Sequence, residues 1–215
     1  KNIQVTNCTL SKCSKSLLRD WPERVPGVTD EITGIAGIAL EVVDGGFMEN
    51  VTISDITMTD VQTPIFIRLG RRKVSDNSYL KDILIKNITA ESVSYVASSI
   101  TGVPGLRVSN VEIRDIDFKL KAGGKASDTE VEVPEVENQY PENRMFGVML
   151  PAYGFYIRHA DNILFDNINL SYMGGREERH AVFADDVTNV TINKSTLQAP
   201  EGGKAVVYSP NSEIK

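Results

Sequence analysis

The sequence predicts an all-β protein, a parallel β-helix of about six coils, and three observations carry the prediction. A strand pattern of Asn or Asp followed by Ile/Val-x-apolar-x-x recurs six times, starting at residues 2, 50, 82, 110, 162 and 189. Each copy is followed by a second short apolar strand. No segment carries a helical period. A unit of about 27–32 residues with two short strands cannot bury its apolar face alone, whereas stacked units bury a continuous one.

The unit is clearest between Gly37 and Gly70. Asn50–Met58 alternates apolar and polar residues for most of its length, and Pro64–Gly70 does so again after a polar turn, so both read as strands. The second strands are expected at Ile38–Val42, Ile65–Leu69, Val96–Ile100, Gly154–Arg158, Ala181–Ala184 and Ala205–Tyr208. Asn7, Asp55, Asn87, Asp115 and Asn167 close five of the first strands. Asn and Asp tolerate the left-handed backbone and hydrogen-bond locally, so these positions are expected to be corners that stack into a ladder.

At 215 residues the chain reads as one domain, 1–215, with no apolar run long enough for a membrane span. Its net charge of −6 argues against a nucleic-acid-binding surface, which needs a basic face. Cys8 and Cys13 are too few for a disulfide framework. His159 and His180 have no partner at metal-ligand spacing, so neither a metal nor a cofactor is expected. The first coil begins at residue 2 with nothing to cover Ile3 and Val5, which predicts that further N-terminal coils of the same protein stack there.

Three long loops, 14–34, 71–79 and 119–152, leave the coil beside the second strands and are expected to wall a groove along the axis. The first carries Trp21 beside Arg19, Asp20 and Arg24; the ring either stacks on a sugar or staples the loop to the coil. The second is basic, Arg71-Arg72-Lys73, and is a solvated turn or a ligand contact. The third has an acidic half that reads as solvated and a half, Tyr140–Gly147, too apolar for a free linker. With Ile38, Leu40, Ile65, Ile67, Leu69, Phe155 and Ile157 pointing inward, the groove floor is Ala39, Glu41, Phe66, Arg68, Tyr156 and Arg158. Aromatic, cationic and carboxylate groups on one face suit an acidic or polyhydroxylated chain, although Glu41 and Arg68 could equally form a surface ion pair.

The runs Gly37–Gly70, Ser98–Gly105 and Tyr140–Asn162 together resemble the C-terminal half of bacterial members of glycoside hydrolase family 28, the polygalacturonase and rhamnogalacturonase family. The resemblance implies a right-handed, pectin-lyase-like β-helix and a secreted or periplasmic protein. It implies inverting hydrolysis of α-linked galacturonic acid or rhamnose-type units in plant cell-wall polysaccharide. The family's Asn-Thr-Asp, Asp-Asp and Gly-His-Gly signatures lie upstream of the part resembled and are not found, and Asp185-Asp186 reads as a chance match. Its basic Arg-Ile-Lys substrate motif aligns with Ala39-Leu40-Glu41, so both cations are lost.

An inverting glycosidase needs two carboxyl groups roughly 6.5–9.5 Å apart, one with a raised pKa. Glu41 and Asp44 are the catalytic candidates, Asp44 lying in an Asp-Gly-Gly turn that suits a corner residue. Arg68, Tyr156, Arg158, His159, Glu41 and Trp21 are the substrate-binding candidates. The alternative is a noncatalytic module that binds polysaccharide or serves assembly. A lyase is weaker, since no acidic cluster suited to calcium is seen.

Overall fold

The computed structural model describes residues 1–12, 25, 34–73 and 77–213. Trp21, Arg19, Asp20, Arg24 and most of loop 14–34 lie outside the described residues, as do Cys13 and residues 74–76 of the second loop. Among the described residues ten strands follow one another: β1 (Ile3–Leu10), β2 (Gly34–Val42), β3 (Phe47–Leu69), β4 (Tyr79–Ser92), β5 (Ser98–Thr101), β6 (Val108–Lys121), β7 (Ala152–Met173), β8 (His180–Asn193), β9 (Thr196–Leu197) and β10 (Val206–Tyr208). Among the described residues a single 3-10 turn, Ala126–Glu130, interrupts them.

Every pairing between these strands is parallel, and the repeat copies align residue on residue. Ile3, Val51, Ile83, Val111, Ile163 and Val190 form one continuous column. Because alternate side chains of a strand face opposite ways, this register sends every second residue of each copy to the same interior. Val51, Ile83, Val111 and Ile163 are accordingly almost completely buried.

The expected right-handed β-helix of about six coils is corrected by the path of the pairings. Strands β3, β4, β6, β7 and β5 join in a closed ring, a five-stranded parallel barrel, with β1, β2, β8, β9 and β10 outside it. The reason lies in β3 and β7, 23 and 22 residues long: β3 runs unbroken through both strands expected of one unit, and β7 through the second strand of one unit and the first strand of the next. The first part of β3 pairs with β4 and its second part with β5, while β7 pairs with β6 and again with β5. Two faces expected to be separate are thereby linked in one sheet.

Such long strands survive because they turn corners at left-handed residues. In β3 these are Asn50, Asp55 and Asp60, with φ of 56°, 58° and 56°. All five closing residues anticipated from sequence have positive φ, and so do the opening residues Asn2, Asp82, Asn110, Asn162 and Asn189. The amides form ladders: Asn189 Nδ2 donates to Asn162 Oδ1 at 2.8 Å, Asn162 Nδ2 to Asn110 Oδ1 at 3.1 Å, and Asn110 Nδ2 to Asp82 Oδ1 at 2.8 Å. A second ladder links Asn87 to Asp55 and Asn167 to Asp115.

Replacing Asn162 by alanine removes both ladder bonds and puts a Cβ-bearing residue without local hydrogen bonding at φ 56°. The expected loss is about 1–2 kcal/mol from the left-handed backbone alone, read as a lower urea midpoint at unchanged slope. A midpoint equal to that of the parent chain would remove the ladder from the account of stability.

The core runs through the ring. Phe155 of β7 stacks on Phe118 of β6 at 6.1 Å between centroids and lies 5.0 Å from Phe165. A smaller apolar cluster lies outside the ring and joins Phe66 and Tyr156 to Val133, Met145, Phe146 and Leu150. These last four belong to the segment 122–151 between β6 and β7, which covers the outer side of the second strands. Its apolar half packs, as its composition requires.

Candidate functional site

The outward row of the second strands reads across the sheet as Glu41, Arg68, Thr101, Arg158 and Asp185, one residue from each of β2, β3, β5, β7 and β8. The neighbouring row is Ala39, Phe66, Ser99, Tyr156 and Phe183. The alternation predicted from sequence is thus present, with all six expected floor residues on one face. The expected open groove over them is corrected, because segment 122–151 fills it. Phe66 and Tyr156 are 0% and 1% exposed, and burial pushes the Tyr156 phenol up.

Arg68 supports the cover. Its guanidinium donates to the carbonyls of Gly102 (2.9 Å), Glu135 (3.0 Å) and Val136 (3.3 Å) and sits over the Phe146 ring. Burial pushes its pKa down to about 10. Arg68 and Glu41 are register partners, yet the arginine's hydrogen bonds all go elsewhere. Arg158 donates to the Val133 carbonyl at 2.6 Å and forms an ion pair with Glu135. Its Nε lies 3.2 Å from Asp185 Oδ2 without hydrogen-bond alignment.

His159 follows in the left-handed conformation, φ 49°. Its Nδ1 lies 2.5 Å from Asp186 Oδ2 and its Nε2 2.9 Å from Glu135 Oε2, two contacts satisfied together when both nitrogens donate. Arg107 closes the network on Asp161 and Asp186. Burial pushes the Asp186 carboxyl up, but hydrogen bonds from His159 and Arg107 outweigh it and hold the group below its ordinary value. Asp185 and Asp186, set aside from sequence, therefore belong to the same polar network as three of the chosen residues.

Glu41 stands at the open end of the row. It is half-buried, burial raises its pKa, and among the described residues its carboxylate has no hydrogen bond or ion pair. Asp44 is different. Arg72 donates to both of its oxygens, at 2.7 and 2.5 Å, and these bonds hold its carboxyl below the usual range. With Gly45 and Gly46 at φ 84° and 123° beside it, Asp44 is a corner residue. Arg71 of the same basic loop reaches Glu137 at 3.2 Å and the Pro104 carbonyl at 3.3 Å.

Sequence reasoning missed two buried Glu-x-Arg pairs that anchor the cover. Arg144 Nε donates to Glu142 Oε2 and Arg179 Nε to Glu177 Oε1, each at 2.9 Å, and in both the arginine's own backbone N–H bonds the same carboxylate. The repeated spacing in Glu142-Asn143-Arg144 and Glu177-Glu178-Arg179 was the available signal.

On the first-strand side an open groove of about 700 Å³ crosses five strands. It is lined by Thr52, Leu84, Glu112, Leu164 and Thr191 beside the opening amide ladder. Hydroxyl, amide and aliphatic groups repeat there at the spacing of parallel strands, about 4.8 Å. No family model, curated protein or solved structure matches the chain.

Proposed function

We propose that the chain handles an α-linked galacturonic acid or rhamnose-type polysaccharide as part of a glycoside hydrolase of the family 28 kind. The reading rests on the family resemblance. The observation that carries it is Glu41, an accessible carboxyl kept protonated to higher pH by burial, at the end of a row of charged side chains. A group of this kind can protonate a glycosidic oxygen as general acid. The second carboxylate that inversion requires is not assigned to a described residue.

Arg68 and Tyr156 support the cover, so sugar contacts near Glu41 fall to residues at the β2 edge. A second reading, noncatalytic polysaccharide binding, is favoured by the first-strand groove, whose hydroxyls and amides suit a chain of sugars lying across the strands.

Reducing-end release from polygalacturonan and rhamnogalacturonan, measured alongside calorimetric binding of their oligosaccharides, separates the two. The hydrolase reading expects release that declines as pH rises through the raised Glu41 value. It also expects Glu41→Gln to lose about 100-fold or more in rate, the scale of general acid catalysis, with binding and melting temperature retained. Binding without release gives the second reading, and neither signal removes both.

A further inference from the structure

We propose that the open groove on the first-strand side takes an uncharged linear oligosaccharide, lying across the strands, and rejects polyuronate chains. This rests on the second reading above and names its substrate class.

The groove is built from five stacked copies of the repeat. Its floor is one outward row, Thr52, Leu84, Glu112, Leu164 and Thr191, in register on β3, β4, β6, β7 and β8. Its edge is the row of opening residues, Asn50, Asp82, Asn110, Asn162 and Asn189. Each of these five has a left-handed backbone, so every strand bends at the same place and the edge runs straight across the sheet. Four steps of about 4.8 Å give a track of roughly 19 Å, room for about four sugar rings of an extended chain.

Charge decides the class of occupant. Among the described residues Asp82 and Glu112 are the only ionisable groups lining the groove. Each already has a cation: Lys81 Nζ lies 3.7 Å from Asp82 and Arg114 Nε 2.9 Å from Glu112. Those cations are shared in turn, Lys81 with Glu49 at 3.6 Å and Arg114 with Asp166 at 3.0 Å. A uronate chain would set one carboxylate per ring on this track, beside two carboxylates and facing cations already engaged. Desolvating a charge without a partner is costly, and hydroxyl groups escape that cost when they find hydrogen bonds.

The lining supplies those bonds and an apolar complement. Asn110, Asn162 and Asn189 each donate one Nδ2 hydrogen to the neighbouring ladder residue. A primary amide carries two such hydrogens, so the edge presents a further donor on each of β6, β7 and β8. Leu84 and Leu164 are half-buried on either side of Glu112, two strand spacings apart. Their methyl groups suit the C–H faces of sugar rings, and Thr52 and Thr191 offer hydroxyls at the two ends of the row.

The test titrates the whole chain with cellohexaose, mannohexaose, xylohexaose and hexagalacturonate by calorimetry, at low and at high salt. The expected result is saturable binding of at least one neutral chain, at least tenfold tighter than hexagalacturonate. Its affinity should stay within twofold between the two salts, since no charge pair forms. The side-chain amide NMR signals of Asn110, Asn162 and Asn189 should shift on titration. Leu84→Ser/Leu164→Ser is expected to weaken binding at least tenfold. Thr52→Arg fills one end of the track from a polar position, and should weaken it at least fivefold even where the leucine variant folds poorly. Thr89→Ala, beyond the corner at Asn87, is expected to leave affinity within twofold. Hexagalacturonate binding as tightly as the neutral chains, with the same amide shifts, overturns the proposal and leaves the second reading standing. A neutral chain whose affinity neither groove variant lowers also overturns it, since the sugar then binds elsewhere. Binding of none of the four overturns both the proposal and the second reading.

Discussion

Glu177→Ala is expected to lower the free energy of unfolding by about 3–5 kcal/mol, the cost of stripping one partner from a buried ion pair. Glu177 and Arg179 have almost no exposed side-chain surface. The glutamate accepts from the backbone N–H groups of Gly123 and Gly124, each at 3.2 Å, and the arginine donates to the carbonyls of Tyr95 and Ala152. Without Glu177, a guanidinium stays buried among carbonyls with no countercharge, and two glycine N–H groups lose their acceptor. Gly124 sits so close to the Arg179 side chain that a Cβ there would displace it, so the guanidinium has little room to relocate.

The pair also predicts an acid dependence. Burial pushes the Glu177 carboxyl up, but the bonds from Arg179 outweigh it and the net pKa is lowered. A carboxyl depressed on folding contributes stability that is full above the unfolded value, about 4.3, and is lost as pH falls through the folded one. Urea midpoints measured from about pH 7 down to about pH 3 should fall less steeply for Glu177→Ala than for the parent chain. The double variant Glu177→Ala/Arg179→Met should recover part of the loss, since the stranded charge is gone. An alanine variant as stable as the parent at neutral pH would show that the pair does not anchor the cover.

The second large effect is expected at Arg68. Arg68→Ala leaves the carbonyls of Gly102, Glu135 and Val136 without their donor, and at about 1–3 kcal/mol for a stranded buried group, partly relieved by entering water, the loss should be about 3 kcal/mol. Hydrogen exchange should quicken in residues 133–137 before it does in the ring strands, because Arg68 ties that stretch to β3. Arg68→Lys should restore little, since an ammonium on a flexible stem does not reproduce the planar fork that reaches several carbonyls at once. Unchanged stability with lost oligosaccharide binding would instead return Arg68 to the role of a sugar contact.

Arg68 marks where the sequence stops being sufficient for the site. Period-two alternation assigns it to the outward face, and there it is. Outward does not mean solvent-exposed, however, and the 2% exposure of Arg68 depends on a segment whose contacting residue, Glu135, is 67 positions away in the chain. The apolar content of Tyr140–Gly147 showed that this half of the loop would pack, but composition does not name the surface it packs on. His159 shows the same limit. Its left-handed backbone turns its ring between Asp186 and Glu135, and one of these carboxylates lies on the cover and the other on β8.

Local order was legible because it is local. Repeated Asn and Asp at fixed offsets determine the left-handed corners, and alternating Ile and Val determine which side chains enter the core, since both follow from the backbone preferences of a few adjacent residues. Only the tertiary structure decided that β3 and β7 continue through their corners to close a five-stranded ring, and that segment 122–151 occupies the face expected to be a groove. Both outcomes depend on pairing and packing between residues far apart in sequence, where side-chain period specifies a face and leaves its neighbour unspecified.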